Sequence, residues 1–324
     1  MTTAAVDVFH TADDADKALR RDARQGLTSA PKWLPPKWFY DARGSELFED
    51  ITRLEEYYPT RAEREILQRY AGEIASRSAA HTLVELGSGS SEKTRLLLDA
   101  LRSNGTLRQF VPLDVSESAL REAVEAIARD YPGLAIHAVV GDFTEHLSRT
   151  PGEAPRLVAF LGGTIGNLFP HERATFLTEV RQVLEPGEWL LLGTDLVKDA
   201  DTLVRAYDDS QGVTAAFNRN VLAVLNRELG ADLDLRRWAH EARWDPDRER
   251  IEMHLVSTRD QRVSVPGADL AIEVEQGESI QTEISAKFRL DTLAPLLVGA
   301  GMDLDRSWTD PDGDFALSLA TVPT

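Results

Sequence analysis

The chain has 324 residues, no cysteine and a formal net charge of −18, with 54 Asp plus Glu against 36 Lys plus Arg. Without thiols there is no disulfide framework, thiolate nucleophile or thiolate metal site, and the acidic balance argues against a nucleic-acid or anionic-membrane surface. The length allows a large core split over two lobes, and no stretch nears the ~18 apolar residues of a membrane span, so a soluble, cytoplasmic protein without a signal peptide is expected.

Residues 1–12 carry no periodicity and are expected to fray. Asp13–Gln25 reads as a helix with Ala18 and Leu19 on its apolar side, ended by Pro31, Pro35 and Pro36. Lys37-Trp38-Phe39-Tyr40-Asp41, Phe48 and Tyr57-Tyr58 then crowd aromatic rings into a short span, suited equally to a pocket wall and to ordinary core. Arg61–Ser76 predicts a helix capped by Thr60, with Glu63 completing a capping box.

Thr82–Leu86 is an apolar strand ending in Glu85-Leu86-Gly87-Ser88-Gly89, followed by a helix over Lys93–Arg102. A strand that enters a Gly-x-Gly turn and a helix N-terminus brings backbone N–H groups close to a ligand. A dinucleotide fingerprint needs a third small residue three places after Gly89, and Glu92 stands there, so a pyrophosphate fits poorly. The acidic-x-Gly-x-Gly pattern resembles instead the first motif of S-adenosylmethionine (SAM) methyltransferases.

Strands at Phe110–Asp114, Ala135–Val140, Leu157–Leu161 and Trp189–Thr194 alternate with helices at Ser116–Asp130 and Pro170–Leu184. Their unbroken apolar runs predict a parallel, doubly wound sheet. Pro112 is awkward in a central strand, which is expected to begin there. After Asp195 the rhythm changes: helices at Asp199–Asp208 and Val213–Leu229 precede strands at Ile251–Thr258, Val263–Val265, Leu270–Glu275 and Ser279–Phe288, several with the period-two alternation of a one-face-buried antiparallel sheet. A helix at Leu290–Gly301 and an antiparallel pair, Leu304–Trp308 and Phe315–Val322, close the chain around the Asp310-Pro311-Asp312-Gly313 turn.

Ligands of open α/β sheets sit at the carboxyl ends of the strands. Those ends supply Gly87, then Asp114, suited to two ribose hydroxyls, then Asp142 and Phe143 for an adenine amino group and ring face. Lys93, in the first helical turn, is suited to pair with a carboxylate. Each residue alone could be structural, Asp114 as a helix cap and Lys93 as a solvated charge. Their order along successive strands favours SAM as cofactor.

Several longer motifs carry a more specific likeness: Pro35-Pro36-Lys37-Trp38-Phe39-Tyr40-Asp41, Tyr57-Tyr58-Pro59-Thr60-Arg61, Leu86–Thr94, Gly162-Gly163-Thr164-Ile165-Gly166-Asn167-Leu168, Ala206-Tyr207-Asp208-Asp209 and Glu283-Ile284-Ser285-Ala286-Lys287-Phe288. Together, from about residue 13 onward, they resemble the L-histidine N-alpha-methyltransferases of ergothioneine biosynthesis. The resemblance implies a Rossmann-like class I SAM methyltransferase sheet (60–197 and 288–324) with an inserted α+β substrate-binding domain (13–59 and 198–287). It implies trimethylation of the histidine α-amino group to hercynine. It also implies that Tyr57, Asn167 and Tyr207 hold the amino-acid end, that Glu283, Ile284 and Ser285 meet the imidazole, and that Met253 packs against it.

Independently, Glu283 and Ser285 are two apart on a strand and so project to one face. A carboxylate and a hydroxyl can satisfy the one N–H and one acceptor nitrogen of neutral imidazole. Tyr40 and Thr164 are candidates to orient the amine, and no dedicated general base stands out. The seven histidines show no HExxH-like spacing, so no metal is expected. L-Histidine as a small-molecule partner, no nucleic acid, no membrane and a monomer complete the expectation. A methyltransferase for another aromatic amine and a catalytically silent SAM-binding regulator are the competing readings.

Overall fold

The computed structural model describes residues 4–89 and 93–324. The chain divides into two compact units, the first made of Met1–His10, Pro59–Val197 and Phe288–Thr324, the second of Thr11–Tyr58 and Lys198–Lys287.

The first unit is built on an eight-stranded sheet of β1 (Ala4–Val8), β3 (Thr82–Leu86), β4 (Gln109–Asp114), β5 (Ala135–Val140), β6 (Arg156–Phe160), β7 (Trp189–Asp195), β13 (Asp303–Thr309) and β14 (Phe315–Thr321). Their spatial order is β1-β5-β4-β3-β6-β7-β14-β13. All pairings are parallel except those of β14, which runs antiparallel to both β7 and β13. A closing antiparallel strand inserted beside the fifth strand of a doubly wound sheet is the class I methyltransferase arrangement that the sequence predicted.

The helices are α3 (Pro59–Ser78), α4 (Thr94–Ser103), α5 (Glu117–Asp130), α6 (Phe143–His146), α7 (Pro170–Val183) and α10 (Leu290–Gly299). They cover both faces of the sheet. Leu83 and Phe110 pack with Ile66, Leu67, Leu97 and Ile127 on one side. Val84, Leu86 and Phe160, alternating to the other, pack with Phe176, Leu177, Leu293 and Leu297. Burial on both faces explains why these strands read as continuous apolar runs.

Three expectations are corrected here. Residues 4–8 do not fray: β1 pairs in parallel with β5, Val6 joins the core, and Asp7 meets His137 at 2.7 Å. Five residues without a clean alternation carry too little periodic signal to be read as an edge strand. Strand β4 begins three residues before Pro112; its pairing with β5 skips Val111 and Pro112, where the proline has no N–H to donate. Thr60 lies inside α3, which starts at Pro59, so Thr60 and Glu63 form no capping box. Glu63 is instead fully buried.

The second unit holds α1 (Ala12–Thr28), β2 (Lys32–Trp33), α2 (Ala42–Ile51), α8 (Ala200–Tyr207), α9 (Val213–Leu229), β8 (Trp238–Asp245), β9 (Arg250–Ser257), β10 (Gln261–Val265), β11 (Leu270–Val274) and β12 (Ser279–Ala286). A sheet ordered β2-β12-β9-β8 is antiparallel except for the short β2, and β10 and β11 form a separate hairpin. Phe217, Val221, Leu225 and Leu229 are buried along one face of α9, as their spacing predicts. Strand β8 was not read from the sequence, although Trp238, His240, Ala242 and Trp244 alternate with Ala239, Glu241, Arg243 and Asp245. The register of β12 on β9 shifts between Gln281 and Glu283. That bulge sits directly before the residues of interest and re-aims the strand beyond it.

Candidate active site

In the first unit, β3 ends at a turn in which Gly87 and Gly89 have φ of +68° and +48°, and among the described residues nothing lies within 4 Å of where a Cβ would stand. Such a conformation strains any other residue and leaves a backbone cradle open to a ligand. Gly87 N donates to Leu113 O at 2.8 Å, and Gly89 N to Asp114 Oδ2 at 2.9 Å. Ser90, Ser91 and Glu92, the last of which disfavours a pyrophosphate in the sequence, lie outside the described residues. Glu85 is buried and accepts from the Thr94 hydroxyl, which ties the first residue of α4 to β3.

Asp114 Oδ1 accepts from Ser116 N at 2.9 Å. Burial raises its pKa, opposed by the backbone hydrogen bonds from Ser116 and Gly89. Asp114 therefore braces the turn, and each of its oxygens keeps a second lone pair. Asp142 is the N-cap of α6, Oδ1 accepting from Thr144 N at 2.9 Å and Thr144 Oγ1 at 2.6 Å. Phe143 packs edge-on against Phe160 and Phe176, with centroids 5.0 and 5.6 Å away.

Lys93 does meet a carboxylate, and it belongs to the protein: Glu63 pairs with its ammonium. The other oxygen of Glu63 accepts from Gly162 N at 2.7 Å. A methyl at Gly193 would lie 2.5 Å from that oxygen, which accounts for the glycine in β7. Thr164 Oγ1 donates to Leu161 O at 2.9 Å, and Asn167 ends the same short turn, Thr164–Asn167.

In the second unit Glu283, Ser285 and Met253 are all buried. Glu283 faces Met253 across the β12–β9 ladder, while Ile284 alternates to the opposite face from Glu283 and Ser285. Burial pushes the Glu283 carboxyl up to about 7, partly offset by the Lys287 cation. Ser285 Oγ and Tyr207 Oη are 2.8 Å apart. The rings of Tyr57 and Tyr207 meet edge-on at 6.3 Å, and Tyr40 packs edge-on with Phe48 and Phe217, each at 5.6 Å. Of the early aromatics Phe39 is plain core, whereas Tyr40 and Phe48 are only partly buried against it. Among the described residues no group of three or more His, Cys, Asp or Glu could hold a metal, and no helix is long and apolar enough to cross a membrane.

Residues 19–322 match the family described as histidine-specific methyltransferase, SAM-dependent. The chain belongs to that family. It is 58% identical over 312 residues to the histidine N-alpha-methyltransferase of Mycolicibacterium smegmatis, covering 96% of this chain and 97% of the relative. Ergothioneine biosynthesis protein 1 of Neurospora crassa is 31% identical over 86% of this chain, which spans 32% of that longer protein. A solved SAM-dependent methyltransferase from Clostridium acetobutylicum superposes with a TM-score of 0.49 at 10% identity, covering 86% of this chain and 99% of that one.

Within this histidine-specific methyltransferase, several groups around the candidate residues escaped the sequence reading. Asn218 Nδ2 donates to His240 Nδ1 at 2.8 Å, which leaves His240 Nε2 to donate to Tyr207 O at 2.8 Å. Burial lowers the His240 pKa, consistent with that neutral tautomer. Asn218 Oδ1 accepts from Thr282 Oγ1 at 2.7 Å, inside the bulge before Glu283. One buried network thus holds both the Tyr207 backbone and the strand leading to Glu283. Three side chains and one backbone carbonyl from four separated segments make it, so no local motif announces it.

Glu63 was misread for the same reason. Its charge neutralises Lys93 and its other oxygen orients the Gly162 turn. Replacing it with glutamine, which keeps an acceptor but removes the charge, is expected to weaken SAM binding by about tenfold, the scale of one charge-assisted hydrogen bond. Calorimetric titration with SAM and with S-adenosylhomocysteine checks it.

Proposed function

We propose that this chain transfers methyl groups from SAM to the α-amino nitrogen of L-histidine, three in succession, forming hercynine. The observation that carries the substrate reading is the buried Glu283 carboxylate two residues from the buried Ser285 hydroxyl on β12. Isolated burial of a carboxylate is costly, and an imidazole N–H is a partner that offsets the cost. An indole or phenyl ring would leave part of the pair unsatisfied.

The residues present suit SAM. The open glycine cradle at Gly87 and Gly89 admits close backbone approach, Asp114 retains acceptor capacity for ribose hydroxyls, and Asp142 with Phe143 offers an acceptor and an apolar edge for adenine. Lys93, whose ammonium has three donors, serves Glu63 and keeps capacity for a carboxylate. SAM supplies an electrophilic methyl on a sulfonium, so the protein's work is binding and alignment.

Tyr57, Asn167 and Tyr207 are assigned to the substrate's carboxylate and amino end, and Met253 and Ile284 to the surroundings of its ring. Tyr40 and Thr164 are assigned to orienting the amine. The amine must reach each transfer unprotonated, with an intrinsic pKa of ~8 or somewhat higher. One proton leaves before each transfer, so three SAM and one histidine give three S-adenosylhomocysteine, three protons and one trimethylammonium product. The net charge of −18 supports a small-molecule partner over nucleic acid.

The stoichiometry tests this reading. With limiting histidine and excess SAM, three equivalents of S-adenosylhomocysteine per histidine are expected at completion. One equivalent would restrict the reaction to a single methylation, and none would remove histidine as the substrate.

A further inference from the structure

Lys287 follows directly on β12 and is buried, an expensive place for an ammonium unless its charge has work to do. With Glu283 and Ser285 it forms an i, i+2, i+4 series on one face of the strand. Its Nζ donates to Ser285 Oγ at 2.8 Å and to Tyr207 Oη at 3.0 Å, and lies 4.5 Å from the Tyr207 ring centroid. Ser285 Oγ and Tyr207 Oη are themselves 2.8 Å apart, which closes a triangle.

The hydrogens of that triangle can be assigned. An ammonium has three donors and no acceptor, so both oxygens accept from Lys287. The contact between the hydroxyls consumes one hydroxyl hydrogen. With a lone pair on each oxygen taken up by the ammonium, both hydroxyls are turned toward donating. Burial pushes the Glu283 carboxyl up to about 7, and the same cation works against that burial, in favour of the ionised, acceptor form. With Glu283 ionised, the face pairs an acceptor with hydroxyls turned toward donation, which is the complement of one N–H and one lone-pair nitrogen.

We infer that Lys287 is a positioning residue that sets the donor–acceptor polarity of the substrate-recognising face, making it selective for a neutral imidazole. The inference rests on the assignment of Glu283 and Ser285 to the substrate ring. Other charged groups on the neighbouring elements already have partners: Arg250 with Glu252 and His254 with Glu252 on β9, Lys32 on β2 with Glu278, and His240 beside Asp208. Lys287 is the charged group that acts on Glu283 among the described residues.

The test compares the full-length chain with Lys287→Met, Lys287→Gln and Glu283→Gln, measuring kcat and the KM of histidine and of SAM as a function of pH. Lys287→Met is expected to raise the histidine KM about tenfold or more, with the SAM KM within about twofold. It is also expected to move the acid limb of kcat/KM for histidine upward by about one pH unit, because Glu283 loses the cation that favours its ionised form. The substrate's own imidazole titration is common to all variants and does not move.

Lys287→Gln is expected to show the same limb shift with a smaller rise in KM, since its amide still donates one bond. It decides the matter if the methionine variant does not fold. Wild-type histidine KM and an unmoved limb in the Lys287 variants, with Glu283→Gln impaired, would overturn the inference and leave the recognition reading standing. An equal rise in both KM values with no limb shift would reduce Lys287 to a structural role. Wild-type histidine affinity in Glu283→Gln would overturn the recognition reading itself.

Discussion

Replacing Glu283 by glutamine is expected to lower kcat/KM for histidine by about 100-fold or more while stabilising the ligand-free protein at alkaline pH. The loss follows from replacing a buried charged acceptor with a neutral amide: a hydrogen bond to a charged group is worth ~1.5–3 kcal/mol, and a mismatched donor adds its own desolvation cost. The gain in stability follows from the same burial. The carboxyl ionises near 4.5 in an unfolded chain and at about 7 in the folded protein. Between those values the folded state holds a proton that the unfolded chain releases. The contribution is therefore fully present below pH ~4.5 and is lost as pH rises through ~7, amounting to about 3 kcal/mol at most.

Glutamine does not titrate, so the variant should lack this decline, and its advantage over the parent should grow between pH 5 and 8. Chemical denaturation at a series of pH values measures the slope, and steady-state kinetics measures the activity. A parent and a variant with parallel stability profiles would show that Glu283 is not held against its ionisation, and the recognition argument would lose its electrostatic basis. A binding group maintained at a cost to the free protein, and relieved by its ligand, is how a site can be both unstable alone and selective.

Replacing Asp114 by alanine is expected to raise the KM for SAM by about 100-fold or more, with the histidine KM within a fewfold at saturating SAM. Two ribose hydroxyl bonds to a carboxylate at ~1.5–3 kcal/mol each would account for that range. Alanine also removes the acceptors for Gly89 N and Ser116 N, so a loss of stability near 1 kcal/mol, the scale of a helix cap, should accompany it. Asp114→Asn separates the two roles. It retains one good acceptor for the backbone and should recover most of the stability while binding SAM far more weakly than the parent. If the asparagine variant bound SAM as the parent does, Asp114 would be only a brace for the glycine turn.

The parts of the fold that were legible in the sequence are those whose signals are local. The Gly87–Gly89 turn needs positive φ, the strands from β3 to β7 are buried on both faces, and α9 repeats its apolar residues at helical spacing. The missing pieces depend on pairing or on contacts between distant segments. Strand β1 is too short to show periodicity, and β8 hid a clear alternation among charged residues on an edge. Pro112 sits inside its strand because one neighbour's ladder lapses at that point.

The candidate site divides in the same way. Asp114, Asp142 and Phe143 could be placed because strand ends are predictable from strand positions. Glu283 and Ser285 could be placed because two residues on a strand share a face. The ion pair of Glu63 with Lys93, the neutral His240 with Asn218, and the Lys287 triangle were invisible, since each joins side chains from different elements. In this protein the residues assigned to ligands sit at readable positions, and the groups that hold them in place do not.

The most direct test of the central claim is mass spectrometry of L-histidine incubated with the purified protein and SAM, with tryptophan and histamine in parallel reactions. The account predicts the gain of three methyl groups on histidine alone, since tryptophan lacks the imidazole that Glu283 and Ser285 are assigned to and histamine lacks the carboxylate. Methylation of tryptophan or histamine at the rate of histidine would contradict the assigned recognition, and unmodified histidine would contradict the function itself.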